Sequence, residues 1–179
     1  MQSGGIMESK NLKWCFKLKN GLNVVEPNKL LADSYLKEAK SSLERADKNF
    51  KEKDLLWTTV IIYYSEYYAL YSFLQRIGVK CENHHCSILA AEHLLGEEKI
   101  KTIDSHKDKR IDAQYYMKTG KEKEVEQMLK DAKIFISSFD ELVSNLTEEE
   151  VNSYRENLNN AKSDKKKEDK DAPISDKSS

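Results

Sequence analysis

Leu55-Leu56-Trp57-Thr58-Thr59-Val60-Ile61-Ile62-Tyr63-Tyr64-Ser65-Glu66-Tyr67-Tyr68-Ala69-Leu70-Tyr71-Ser72-Phe73-Leu74 is the stretch on which the fold turns. Glu66 is its only charge, and its length is about what a bilayer core demands. Thr58, Thr59, Ser65 and Ser72 interrupt it, and five tyrosines fall between Tyr63 and Tyr71. In a membrane Glu66 would sit near the middle, at a cost of about 2–3 kcal/mol. A buried central helix takes the same residues more easily. The chain therefore reads as a bundle, with no membrane among its partners.

Working outward, Asp54 caps this helix, which runs to about Ile77 with Leu56, Val60, Tyr63, Tyr67 and Leu74 inward, and Gly78 ends it. Upstream, beyond Pro27 and Asn28, Leu36, Ala39, Leu43, Ala46 and Phe50 step along one helical stripe. Downstream, a shorter helix is expected from about Asn83 to Leu95, stopped by Gly96. A further helix starts near Glu97, weakens through the polar Asp104–Lys109 and resumes at Arg110–Met117. After Gly120, Val125, Met128, Ala132, Phe135, Phe139, Leu142 and Leu146 give the cleanest helical repeat of the chain. Thr147-Glu148-Glu149-Glu150 then reads as a capping box opening a helix with Val151, Tyr154, Leu158 and Ala161. Leu12–Leu18 is open to two readings, a hairpin turning at Asn20-Gly21 or a short helix, and the helix is favoured.

The resulting fold class is all-α: an up-and-down bundle of four to five main helices. Residues 1–27 form an N-terminal extension, 28–161 the bundle, and 162–179 a tail. The tail has only Ala172 and Ile174 as apolar residues besides Pro173 and is expected to be disordered.

Composition agrees. Of 179 residues, 39% are hydrophobic and 34% charged, with only 6 Gly and 2 Pro, which argues against a sandwich or barrel. No glycine cluster follows a strand-like run, so a doubly wound nucleotide fold is also disfavoured. A net charge of −1 gives no global drive toward nucleic acid or an anionic membrane. Met1–Ile6 lacks the basic and apolar regions of a secretory signal, and Met7 is an alternative start. The three cysteines, Cys15, Cys81 and Cys86, are an odd and sparse set that reads as reduced thiols in a cytoplasmic protein.

Three groups of residues could carry chemistry. On a helix, Tyr63, Glu66 and Tyr67 lie together, with Tyr64, Tyr68 and Tyr71 on the neighbouring face. They are either packing groups or an aromatic and carboxylate pocket for a base or nucleotide. Cys81, His84, His85 and Cys86 are all of zinc-ligand type, but no second such cluster exists and only His93 is near. No metal or other cofactor is therefore expected, and Asn83 or a histidine is expected to cap the helix instead. His106 and Arg110 share a helical face, where an arginine could hold a phosphate and a histidine move a proton. Asp104, Asp108 and Asp112 surround them, so a solvated salt-bridge face is the plainer expectation.

In order along the chain come an amphipathic helix, Tyr67-Tyr68-Ala69-Leu70-Tyr71, Gly78, the His-x-Cys element at His84-His85-Cys86, Arg110-Ile111-Asp112-Ala113-Gln114-Tyr115, and Ala132-Lys133-Ile134-Phe135. This succession, over about Asn28 to Leu146, resembles the HEPN family (higher eukaryotes and prokaryotes nucleotide-binding domain) in its small stand-alone form. The resemblance implies a helical bundle, often a homodimer, often encoded beside a minimal nucleotidyltransferase as a toxin–antitoxin pair. Many members are metal-independent RNases with an arginine, four to six intervening residues, then a histidine. Carried over, the arginine is Arg110, but positions 115–117 hold Tyr115, Tyr116 and Met117, so the ribonuclease histidine is missing. Ala113-Gln114-Tyr115 departs from the Ala-Asp-Tyr of relatives as well, and His106 precedes Arg110 instead of following it.

The function expected is a module that binds a nucleotide, an RNA phosphate or a protein partner, with Arg110, Tyr115, Tyr67 and Glu66 as ligand-binding candidates. The alternative is a divergent metal-independent RNase toxin using Arg110 with His84 or His106.

Overall fold

The computed structural model describes residues 12–163. Its elements are α1 (Leu12–Lys17), β1 (Asn23–Val24), α2 (Lys29–Lys51), α3 (Leu55–Arg76), β2 (Val79–Lys80), α4 (His84–Leu95), α5 (Glu97–Tyr116), α6 (Glu122–Asn145) and α7 (Glu148–Ser163). The fold is an all-α bundle, and the only strands among the described residues are the antiparallel pair β1–β2, with Asn23 opposite Lys80 and Val24 opposite Val79.

Short polar side chains start the helices where the sequence places them. Asn28 accepts from the Leu31 N–H at 2.9 Å, Asp54 from Trp57 at 3.1 Å and Asn83 from Cys86 at 3.1 Å. Thr147 and Glu150 close the expected capping box before α7, through bonds of 2.9 and 3.2 Å. Gly78 ends α3 with a φ of 74°, and a Cβ there would collide with the Val25 carbonyl and the Arg155 guanidinium. Arg155 uses that space to donate to the Val25 and Ile77 carbonyls, tying α7 to the end of α3.

α3 is the central element, packed against α2, α4, α5 and α6. Its hydroxyls do not need water: Thr58, Thr59, Ser65 and Ser72 each donate to a carbonyl of the preceding turn. Ile62, Tyr63, Leu70, Phe73 and Leu74 are fully buried, and Phe73 meets Phe139 of α6 and Tyr154 of α7 edge-on. No helix among the described residues is long and apolar enough to cross a membrane.

Two expectations are corrected, and one open alternative is settled as favoured. α5 does not weaken at Asp104–Lys109 but runs unbroken, because Ile103, His106 and Arg110 all turn into the bundle. Leu12–Lys17 is the helical alternative, and the extended residues after it pair with β2 rather than with each other. The cysteines are not three free thiols: Cys15 and Cys86 form a disulfide across 71 residues, leaving Cys81 as a buried thiol. An odd cysteine count is blind to this pairing, because it depends on α1 returning to the first turn of α4. The expectation of disorder falls, beyond Ser163, outside the described residues, as does the reading of Met1–Ile6.

Candidate functional site

α3 and α5 run antiparallel, so that Glu66 faces His106 while Tyr63, one turn earlier, faces Arg110 one turn later. The salt-bridge face expected around His106 and Arg110 is therefore wrong. Both residues belong to the buried stripe Ile103, His106, Arg110 and Ala113, and the aspartates take the opposite side. His106 Nδ1 lies 2.8 Å from Glu66 Oε1, and Glu66 is wholly buried with Oε2 left without a partner. Burial pushes the Glu66 carboxyl above its ordinary value, against the pull of His106.

Arg110 lies across the tyrosines of α3. Its guanidinium carbon is 4.6 Å from the Tyr63 ring centre and 5.7 Å from that of Tyr64. Only 9% of the residue is exposed. Nη1 donates to Gln114 Oε1 at a long 3.3 Å, and Nε has no partner. No carboxylate among the described residues forms an ion pair with it. A permanent cation is thus held out of water by π faces and one amide, without a counter-ion.

α4 brings His84 to the same place. Its ring stacks on Tyr67 at 3.8 Å and 6°, and its Nδ1 is hydrogen-bonded to the Tyr63 hydroxyl at 2.9 Å. Burial, helped by the Arg110 charge, lowers His84 to about 4, so the imidazole is neutral at neutral pH. Burial raises Tyr63 to about 12, so the phenol keeps its proton. Tyr67 meets Ser87 Oγ at 3.1 Å, and burial raises its phenol too.

The structure therefore assembles Arg110, His84, Tyr67, Glu66 and His106 from three helices around Tyr63. Tyr63 is the residue whose role here sequence reasoning missed. Its spacing with Tyr67 marks a shared face, but nothing local says that His84 and Arg110 meet there. Tyr115 is not part of the group: it is 66% exposed and makes no ring contact with it. Cys86 cannot serve as a metal ligand, since its sulfur is bonded to Cys15, and the described residues hold no cluster of metal-ligand type. The cavity of about 390 Å³ between α4 and α5, floored by Ile88 and Ile100, lies elsewhere.

Chemically, both imidazoles are already engaged through Nδ1, one by a phenol and one by a carboxylate. Besides the second Glu66 oxygen, what remains unanswered is the guanidinium, a fork of donors suited to a phosphate or other oxyanion. No curated protein matches this sequence. The HEPN domain model matches residues 32–142, a span from α2 to α6 that contains every member of the cluster and more than half of the chain. The chain belongs to the HEPN domain family.

Proposed function

We propose that this HEPN protein binds a phosphate-bearing ligand, a nucleotide or RNA, through Arg110 and does not cleave it efficiently. One observation carries the reading: a guanidinium nine-tenths buried, with a free Nε and no carboxylate. A buried charge without a counter-charge is costly, and a bound phosphate would supply both the charge and the acceptors. Cleavage by the ribose 2′-hydroxyl needs a base as well, worth about 10²–10⁴-fold. His84, lowered to about 4 and engaged through Nδ1 with Tyr63, is a weak base, and His106 is committed to Glu66.

The test incubates labelled RNA with the parent protein and with Arg110→Gln and His84→Ala variants. The reading expects saturable binding without cleavage, lost in Arg110→Gln. Metal-independent cleavage abolished in both variants would establish the RNase alternative instead.

A second reading, a docking module, is favoured by the run Tyr115, Tyr116 and Met117 at the end of α5, each more than 60% exposed. A second copy of the chain would cover these residues in a homodimer, and light scattering should then give about twice the 20.7 kDa chain mass. A minimal nucleotidyltransferase, in a toxin–antitoxin pair within the cytoplasm, is the heterologous form of the same reading. Copurification of the two chains, abolished by Tyr116→Ser with Met117→Ser, would support it.

A further inference from the structure

Cys15 and Cys86 are both fully buried, and their bond closes a covalent loop between α1 and the first turn of α4. That same turn supplies the contacts of α4 to the candidate site. His84, two residues before Cys86, stacks on Tyr67 and is hydrogen-bonded to Tyr63; Ser87, the residue after Cys86, bonds the Tyr67 hydroxyl. Asn83 caps the turn through the Cys86 N–H, and the Cys81 thiol bonds the Asn83 carbonyl at 3.3 Å. The disulfide thus sits at the root of the turn that holds the neutral histidine beside Arg110.

On its other side the bond holds a short element packed against α4 and α7. α1 has only six residues, too few to persist alone, and Trp14 within it is exposed, while Leu12 and Phe16 lie against the core. The Leu22 N–H donates to the Cys15 carbonyl, and β1, which follows, pairs with β2. A helix this short opens locally at lower cost than the long helices of the bundle, and such opening is what would admit a reductant to the buried sulfurs.

We propose that Cys15–Cys86 is a redox latch on the Arg110 site. Oxidised, it fixes the first turn of α4 and with it His84. Reduced, it releases that turn and weakens anion binding at Arg110. The ligand in this inference rests on the phosphate-binding reading; the latch itself rests on the geometry of α4. The reductant is a dithiol. One of its thiolates attacks a sulfur of the bond and forms a mixed disulfide, expelling the other cysteine as a thiolate that takes up a proton. The second thiol of the reductant then attacks the mixed disulfide. Cys15 and Cys86 end as thiols, having gained two electrons and two protons, and the reductant ends as its own disulfide. Cys81 stays out of the exchange, because burial raises its thiol and keeps it protonated.

The experiment uses the full chain, oxidised or treated with excess dithiol, with the states verified by thiol count: one free thiol against three. Amide hydrogen exchange is followed at Cys86 and Ser87 in α4 and at Ile136 in α6, beside binding of a 5′-labelled single-stranded oligoribonucleotide. On reduction, the α4 amides should exchange about ten-fold faster or more while Ile136 is unchanged, and the oligonucleotide should bind more weakly. The Cys15→Ser, Cys86→Ser double variant should match the reduced protein and ignore the dithiol, whereas Cys81→Ser should respond like the parent. Equal protection of α4 in both states would overturn the latch. So would a uniform rise through α4 and α6, which would make the bond a general staple. If neither state binds the oligonucleotide while α4 still responds, the phosphate reading fails and redox control of α4 stands.

Discussion

α6 and the seam between α3 and α5 are both buried, but by opposite means. α6 presents Val125, Met128, Ala132, Phe135, Phe139 and Val143 to the core, and its stability is that of apolar area removed from water. The seam buries Glu66, His106 and Arg110 beside Tyr63 and Tyr67, groups whose burial costs free energy unless each finds a partner. His106 answers one oxygen of Glu66; Arg110 is met by rings and a distant amide. A helix built like α6 needs only its fold. The seam stays short of one anion, and such a shortfall is where binding is expected.

The comparison can be broken first on the α6 side. Phe139→Ala, which removes a wholly buried ring packed on Phe73 and Phe135, should cost roughly 3–5 kcal/mol in denaturant unfolding. A cost below about 1 kcal/mol would mean that α6 is not the apolar wall described here. On the seam side, His106→Leu alone strands Glu66 in the core and should cost about 3 kcal/mol or more. The pair Glu66→Leu with His106→Leu should recover most of that loss, since removing both partners removes the burial penalty as well. If the double variant is as damaged as the single one, the two side chains do more than satisfy each other.

A smaller effect sharpens the account of His84. Its folded pKa of about 4 lies below the unfolded value of 6.5, so below pH 6.5 the unfolded chain takes up a proton that the folded chain refuses. Its contribution to stability is therefore present above pH 6.5 and is lost as pH falls toward about 4. Unfolding curves for the parent and for His84→Gln should run parallel above pH 7 and converge through that window. A constant difference from pH 7 to pH 4 would show that His84 is neither desolvated nor felt by Arg110.

The same contrast explains what could be read from the chain alone. The +3, +4 recurrence from Val125 to Leu146 is local, and it gave α6 directly. The caps at Asn28, Asp54, Asn83 and Thr147 are equally local. Ile103, His106, Arg110 and Ala113 recur in the same +3, +4, +3 pattern, so the signal for burial was present. It was masked because two of the four residues are polar and Asp104, Asp108 and Asp112 crowd the intervening positions. Their burial becomes intelligible only once Glu66 and Tyr63 stand opposite, and that pairing spans forty residues of chain or more. The Cys15–Cys86 bond is hidden for the same reason, at a separation of 71.

The central claim is that Arg110 is a cation awaiting an oxyanion, and its own Nε–H reports on that most directly. In a nitrogen–hydrogen correlation spectrum, titration with a single-stranded oligoribonucleotide should shift the Arg110 Nε–H resonance downfield to saturation, as the unpartnered donor gains a charged acceptor. The exposed guanidinium of Arg45, already paired with Glu38, should stay in place. An Arg110 resonance that does not move, while the RNA binds elsewhere or not at all, would contradict the account.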